Sequence, residues 1–454
     1  MSFKEKVYRK LSPKLQDFAL TIAGLEINKT RYSKTFFKYL KDFQSSYRFS
    51  RKETLDLNEQ RFQELLRNIK ENKNSLLRFN FLYGNIEAFK SLKDLDSFKL
   101  TSKDSLKEAL KKFPFEKNEY LKNKIIKTSG TTGSGLIFPI PLDFESRQWA
   151  LWWRFRLSHG IKFNQLCGYF GGRNIVNPNE KKRFYRINKS SNQVMFSAYH
   201  LNLENLENYI NGIKSHNIKW LHGYPSILSD LAFLIEKSNF QDKLDIEVIS
   251  TGAESLLVYQ KEILERVFKC RIIEHYGLAE GTANFSIDKD DNLVVDEDYS
   301  HVNFVKNSSL NDYKIIGTSL DNFLLPMLNY DSGDTCSVIE TKKDSWRKVS
   351  GIDGRVEDYL ILKDGTRVGR LDHLFKDLTF INQAQIIQTK IGTCHVNLVV
   401  DKEVCDNYES LIRRSFSERM GNKISIEINI VPSIKKTASG KLRFVLNEVI
   451  DNKS

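Results

Sequence analysis

No apolar run in this sequence approaches the roughly 18 residues needed to cross a bilayer. The charged start Met1-Ser2-Phe3-Lys4-Glu5-Lys6 is not followed by the apolar stretch of a secretory leader. A soluble, cytoplasmic protein without a transmembrane segment is therefore expected. Cysteine is sparse: Cys167, Cys270, Cys336, Cys394 and Cys405 stand far apart with no C-x-x-C pair, which argues against a disulfide framework. The eight histidines are equally dispersed and show no metal-ligand spacing. Basic residues give a net charge of +13, but only in short groups such as Lys181-Lys182-Arg183 and Lys342-Lys343. No run of five or six like charges and no basic aromatic platform is present, so the excess reads first as a solvated surface rather than a nucleic-acid footprint. Internal repeats and low-complexity segments are also missing.

What is there suits a large folded core. The 454 residues are 40% hydrophobic and 12% aromatic, and at about 150 residues per domain they suggest two or three domains. Residues 1 to about 120 read as helical, with i, i+3, i+4 apolar spacing in Phe36-Phe37-Lys38-Tyr39-Leu40 and Arg61-Phe62-Gln63-Glu64-Leu65-Leu66. From Lys124 onward strands and helices alternate. Strands are expected at 218–222, 246–250 and 271–275, and helices at 144–157, 203–216 and 227–237. That rhythm implies a parallel sheet with ligand loops at the strand C-terminal ends. The helix at 144–157 carries Phe144, Trp149, Trp152, Trp153 and Phe155, a stripe read here as core. After about Ser300 the pieces become shorter and richer in strand. The turn-dense stretch from Gly351 to Val368 reads as a boundary, followed by a compact α/β unit. The fold class expected is α/β: a large N-terminal domain (1–356) with mixed or parallel sheets and helices, and a small mobile C-terminal α/β domain (357–454).

The most informative stretch is Thr128-Ser129-Gly130-Thr131-Thr132-Gly133-Ser134-Gly135. Glycines let backbone N–H groups form an anion-binding nest, and hydroxyls add donors, so the composition suits a polyphosphate. It is not a Walker loop, since no Gly-Lys-Ser/Thr closes it. Flanking β-type runs suggest a hairpin; a flexible surface loop is the competing reading. Further signals follow in order. Ser250-Thr251-Gly252-Ala253-Glu254 is a strand-end turn that lets a flat base approach the backbone. His275-Tyr276-Gly277-Leu278-Ala279-Glu280 offers an aromatic face and a carboxylate able to hold Mg²⁺. Tyr330-Asp331-Ser332-Gly333-Asp334 places an acid at a tight turn suited to ribose hydroxyls, and Gly354-Arg355 comes next. Lys435 to Arg443 ends with Lys441 after a Ser-Gly turn.

As a set, these segments resemble the adenylate-forming enzymes, which include acyl-CoA synthetases, peptide-synthetase adenylation domains and luciferases. With Trp220-Leu221-His222-Gly223-Tyr224-Pro225-Ser226 and the modest length, the chain looks most like the branch of phenylacetate–CoA ligases, coenzyme F390 synthetases and the CapK-type proteins of polysaccharide gene clusters. The resemblance covers about Ile125 to the C-terminus. It implies that a carboxylate attacks the α-phosphorus of ATP, giving acyl-AMP and pyrophosphate, after which a thiol or an amine displaces AMP.

Position by position, the resemblance implies that Thr128, Ser129, Gly130, Thr131, Thr132 and Gly133 hold the β- and γ-phosphates. Gly252, Ala253 and Glu254 would line the adenine, with Tyr276 and Gly277 against it. Glu280 would bind Mg²⁺. Asp334 would take the ribose hydroxyls with Arg355 assisting, and Lys441 would bridge the carboxylate and the α-phosphate. Glu357 and Asp358 match the hinge about which the small domain turns. The acyl pocket would lie between Phe170-Gly171-Gly172-Arg173 and the His222-Gly223-Tyr224-Pro225 turn. Arg173, His222 and Tyr224 are thus the candidate substrate contacts, and Arg173 is a candidate reader of an acidic substrate.

The chain departs from the family pattern in places. No Pro-Lys follows the phosphate loop. Gly281-Thr282-Ala283-Asn284-Phe285-Ser286 lacks the cysteines and histidine of a structural metal site, so zinc is not expected. The polar stretch from Lys363 to Arg370 weakens the case for a familiar CoA groove, although CoA remains the first candidate acceptor. An amine acceptor is the alternative. A non-catalytic binder of nucleic acid or an anionic surface is the reading from another class. The identity of the acid, the pathway and the oligomeric state are not encoded in any motif.

Overall fold

The computed structural model describes residues 3–116, 119, 123–128, 136–238, 240, 244–253, 256, 258–306, 313–342, 344–353, 359–368, 371–375, 378, 381–400, 407–434 and 445–451.

The chain opens with helices α1 (Phe3–Lys10), α2 (Pro13–Arg31), α3 (Lys34–Ser46), α4 (Arg51–Glu71), α5 (Lys73–Tyr83) and α6 (Lys103–Lys112), as the apolar spacing led us to expect. Polar residues set the breaks. The Ser50 side chain accepts from the Glu53 N–H while the Glu53 carboxylate accepts from the Ser50 N–H, a capping box that starts α4. Asn72 caps α5 through Ser75. Helix α4 buries Phe62, Leu65, Leu66 and Ile69 on one face, packed with Leu320 and Leu328 from far along the chain.

Strands β1 (Lys124–Lys127) and β2 (Ile137–Ile140) form an antiparallel hairpin. Helix α7 (Leu142–Ser158) then leads into the main sheet. Its strands are β3 (Cys167–Gly171), β4 (Tyr185–Asn188), β5 (Gln193–Ser197), β6 (Trp220–Gly223), β7 (Val248–Thr251), β8 (Arg271–Gly277), β9 (Asn284–Ile287), β10 (Leu293–Val295), β11 (His301–Lys306), β12 (Tyr313–Thr318), β13 (Tyr330–Ile339) and β14 (Lys348–Asp353). Their order is β11-β12-β13-β14-β10-β9-β8-β7-β6-β3-β5-β4. The β5-β3-β6-β7-β8 stretch is parallel, and β8–β9 pairing switches it to antiparallel. The strand-rich texture after Ser300 is thus the antiparallel half of the same sheet. Helices α8 (Leu206–Ser215), α9 (Pro225–Glu236) and α10 (Val258–Phe268) supply the crossovers; α8 starts at Leu206, three residues later than the apolar pattern suggested.

Alternation along the parallel strands decides the layering. Leu221, Ile249 and Ile272 face a core built with α8, α9 and α10. Trp220, Val248 and Ile273 face the opposite side, against α3 and α7. The C-terminal stretch holds β15 (Leu360–Ile361) with β16 (Arg367–Val368). It also holds a four-stranded sheet of β17 (Ile381–Lys390), β18 (Thr393–Val400), β19 (Ser425–Ile430) and β20 (Val445–Asn447), in the order β19-β18-β17-β20 with α11 (Tyr408–Met420). These pieces share a core of their own to which Tyr199 contributes. The architecture is α/β, with a large mixed sheet and a smaller C-terminal sheet. No described helix is long and apolar enough to cross a membrane, and Cys167, Cys270, Cys336 and Cys394 are free thiols.

Candidate functional site

The parallel strands end where glycine is needed. A Cβ on Gly223 would meet the Phe170 carbonyl oxygen at 2.2 Å, and one on Gly252 would meet His275 Cε1 at 2.8 Å. The next residue, Ala253, adopts φ +69, a left-handed backbone that costs a non-glycine residue energy and is characteristic of functional turns. Between these strand ends and α7 lies a cavity of about 330 Å³.

Helix α7 forms one wall of it. Asp143 and Glu145 suit the first turn of that helix. Spacing of three and four residues brings Gln148, Trp149, Trp152, Trp153 and Arg156 to one face, and all of them line the cavity. Phe144, Trp153 and Phe155 of the aromatic stripe are buried core, as expected, whereas Trp149 and Trp152 remain half-buried and line the cavity with Trp153. Strands β3 and β6 form the opposite wall with Cys167, Tyr169, Trp220 and His222.

Hydrogen bonds fix the polar groups. The Trp220 indole N–H donates to Ser250 Oγ (2.8 Å). His222 Nδ1 lies 3.0 Å from the Ser250 carbonyl oxygen, which can only accept, so Nδ1 carries the proton and Nε2 is left as an acceptor. Burial, with the charge of Arg156 beside it, holds the His222 imidazole well below its usual range. The same two causes bring His275 down to about 3. Both rings are therefore neutral near pH 7. The Cys167 thiol is pushed up to about 12 by burial and is not a nucleophile at neutral pH. Gln148 donates to the Leu278 carbonyl oxygen (3.1 Å), fastening α7 to the turn after β8.

That turn carries Glu280, which is buried. Gly281 beside it has φ +70, and a Cβ there would lie 2.5 Å from Phe144, so only glycine fits. Tyr276, at the end of β8, donates its hydroxyl to Asp334 Oδ2 at 2.8 Å. Two signals 58 residues apart in sequence thus meet side chain to side chain. Asp334 sits within β13, at a bulge where the strand turns at Gly333 (φ +78), and its backbone N–H donates to Ser332 Oγ (3.1 Å). The lead segment supports this turn from behind. The Thr101 N–H donates to the Asn329 carbonyl oxygen, the Asp331 N–H donates to the Thr101 carbonyl oxygen, and the Thr101 hydroxyl donates to the Leu328 carbonyl oxygen (2.6 Å).

At the hairpin, the Thr128 N–H donates to the Leu136 carbonyl oxygen (2.8 Å) and Thr128 Oγ1 accepts from the Leu136 N–H (3.0 Å). These bonds close the neck of the Ser/Thr/Gly stretch. Ser129, Gly130, Thr131, Thr132 and Gly133 lie outside the described residues, as do Glu254, Arg355, Glu357, Asp358 and Lys441. His222, Tyr224, Gly252, Ala253 and Gly277 line the cavity. Arg173 does not: it is exposed on the loop after β3. Two arginines do line the cavity, Arg31 and Arg156, and both went unread in the sequence; the signal for Arg156 was an arginine within a tryptophan-rich helical face. No group of three acidic, cysteine or histidine side chains suited to a metal occurs among the described residues. A single buried carboxylate, Glu280, fits Mg²⁺ all the same, since that ion is held through one or two carboxylates plus phosphate oxygens.

Comparison with known proteins bears on this arrangement. Residues 360–448 match the family described as the CapK C-terminal domain. Over 449 residues the chain is 26% identical to Protein CapK of Staphylococcus aureus, covering 96% of this chain and 97% of that protein. Among solved structures, 2-hydroxyisobutyryl-CoA ligase in complex with 2-HIB-AMP and CoA aligns with a TM-score of 0.49 and 14% identity over 92% of this chain and 91% of that one. A malonyl-CoA ligase ternary product complex with methylmalonyl-CoA and AMP aligns at 0.37 and 14% identity, over 69% and 71%. The resemblance to CapK-type proteins drawn from the motifs thus extends along nearly the whole chain.

Proposed function

We propose that this protein activates a carboxylic acid with ATP, forming an acyl-adenylate and pyrophosphate, and passes the acyl group to a thiol, with CoA the first candidate. The observation that carries the reading is the Tyr276–Asp334 hydrogen bond beside the cavity. It joins the two segments that the motif resemblance assigns to one nucleotide.

In this reading the acid occupies the cavity and its reacting carboxylate lies at the strand ends, near Gly252 and Gly277. Asp334, positioned by Tyr276 and by the Gly333 turn, accepts from the ribose hydroxyls. Glu280 holds the magnesium ion, which supplies charge neutralisation on pyrophosphate. The Ser129–Gly133 stretch, springing from the Thr128–Leu136 neck, donates to the outer phosphates. Lys441 offsets charge as the α-phosphorus is attacked, and Arg355 assists at the ribose. The reading divides the chain into residues 1–356 and 357–454, with Glu357 and Asp358 at the pivot. A second acceptor class, an amine, is the alternative, supported by the polar sequence from Lys363 to Arg370 in place of a familiar CoA groove.

Pyrophosphate exchange into ATP, measured with a panel of acids, tests the first half-reaction, and hydroxylamine trapping reports the acyl-adenylate. Lys441→Ala is expected to lower exchange about 10²- to 10³-fold, the cost of removing one group that stabilises developing charge. Exchange unchanged in that variant refutes the assignment. Supplying CoA or an amine to the trapped state then separates the two acceptors.

A further inference from the structure

Arg156 is 4% exposed, and its guanidinium makes neither an ion pair nor a side-chain hydrogen bond with any described residue. Its neighbours are indole faces: Trp153 at 5.2 Å, Trp149 at 5.3 Å and Trp220 at 5.5 Å from the ring centroids. Other deeply buried arginines are satisfied. Arg78 meets Glu119 at 2.9 Å and the Leu324 carbonyl oxygen at 3.0 Å. Arg154 meets both Asp296 and Asp298.

The groups facing Arg156 offer no counter-charge. Among the described residues lining the cavity, none is Asp or Glu. The other arginine there, Arg31, is already paired with Glu145 at 3.2 Å. His222 and His275 are neutral, and burial holds the Cys167 thiol protonated. The cavity therefore carries a net positive charge in an aromatic box. Indole faces attract a guanidinium but leave its N–H donors unused, and a buried charge without a partner is costly. A planar bidentate anion would satisfy both needs.

Position gives this anion a role. Gln148, at one end of the stripe on α7, is bonded to Leu278 beside the turn that carries Glu280. Arg156 lies eight residues further along the helix, about 12 Å away. On the facing wall, Trp220 and Gly223 mark the start and end of β6, about 10 Å apart. Arg156 therefore lies toward the start of β6, well separated from the strand-end turns at Gly223 and Gly252.

We propose that Arg156 binds a second carboxylate on the acid to be activated, so that the substrate class is a dicarboxylic acid with an apolar middle. This rests on the acyl-adenylating reading for which end reacts, but not for the binding itself. One carboxylate faces the strand-end turns, the apolar middle lies against the indoles, and the distal carboxylate takes the guanidinium fork.

The cavity carries its own reporter. Trp149, Trp152, Trp153 and Trp220 line it, out of five tryptophans in the chain. Titrating the full chain, without ATP, with adipate against hexanoate and with pimelate against heptanoate is expected to quench tryptophan emission. At least one dicarboxylate of the two pairs should saturate at about tenfold lower concentration than its monocarboxylate partner. Arg156→Met should erase that preference while leaving monocarboxylate binding within about twofold. Arg156→Lys, which keeps the charge without the fork, should give an intermediate value and serves if the methionine variant does not fold. Equal affinity for the paired acids, no quenching by either dicarboxylate at millimolar concentration, or equal losses for both classes in Arg156→Met overturns the proposal; the last result assigns Arg156 to the reacting carboxylate. Pyrophosphate exchange separates the two ideas. Dicarboxylate binding with no exchange for any acid sinks the enzymatic reading alone. Exchange driven by hexanoate but not by adipate or pimelate sinks the dicarboxylate inference alone.

Discussion

Arg154 and Arg156 stand two residues apart on the same helix and are almost equally buried, at 5% and 4% exposure. Burial pulls Arg154 down, but Asp298 and Asp296 more than cancel it, and its pKa ends above the ordinary arginine value. Burial also pulls Arg156 down, and among the described residues nothing of opposite charge restores it. One guanidinium belongs to a seam of buried charges joining the helical lead to the sheet, where Arg61 also meets Asp321 and the Tyr299 carbonyl oxygen. The other faces a void. The lesson is that depth alone does not distinguish a structural charge from a ligand-directed one; the partner inventory does.

The largest expected effect breaks this pair apart. Arg154→Met leaves two buried carboxylates uncompensated and should cost about 3–5 kcal/mol in urea unfolding. Arg156→Met removes a buried charge with no counter-ion among the described residues and should leave the fold at least as stable as the parent, since the desolvation cost goes with the charge. Equal losses would dissolve the distinction.

A buried acid sharpens it next. Burial raises Glu274, on β8, from the ordinary 4.5 to about 7. Between those values the folded state keeps a proton that the unfolded state has released. Stability therefore falls as pH rises through this window, and the penalty is complete above pH 7. Glu274→Gln should be more stable than the parent by about 3 kcal/mol at pH 8 and equal to it near pH 4. Denaturation midpoints at the two pH values check this, and a constant offset would refute it.

The smallest effect concerns the bond that joins the two motifs. Tyr276→Phe removes the donor to Asp334 and should raise the KM for ATP about fivefold in the exchange assay, in line with about 1 kcal/mol for one hydrogen bond. An unchanged KM would mean that Asp334 is held well enough by its own turn.

Much of the frame was legible in the sequence. The strands at 220–223, 248–251 and 271–277, helix α7 and the hairpin around the Ser/Thr/Gly stretch all follow from local period and turn residues. His222 and Tyr224 line a cavity, because a Gly-Tyr-Pro turn after a strand marks a strand end. The union of the post-Ser300 strands with the parallel half was not legible, since it depends on the pairing of β8 with β9 and on register between distant segments. Arg173 drew attention as a loop arginine near a strand end, yet an exposed loop leaves it in water. Arg156 drew no reading, because the lack of a partner among the described residues is a fact about every surrounding element and no local pattern records it.

Thr101 has a practical consequence. By pairing with Asn329 and Asp331 it serves as a missing rung behind the Asp334 turn. The first hundred residues are therefore a buttress and not a detachable leader. Trimming the gene back to the motif-bearing part would yield not a minimal catalyst but a sheet edge with its brace removed, and swapping this front portion between relatives should succeed only if the receiving turn travels with it.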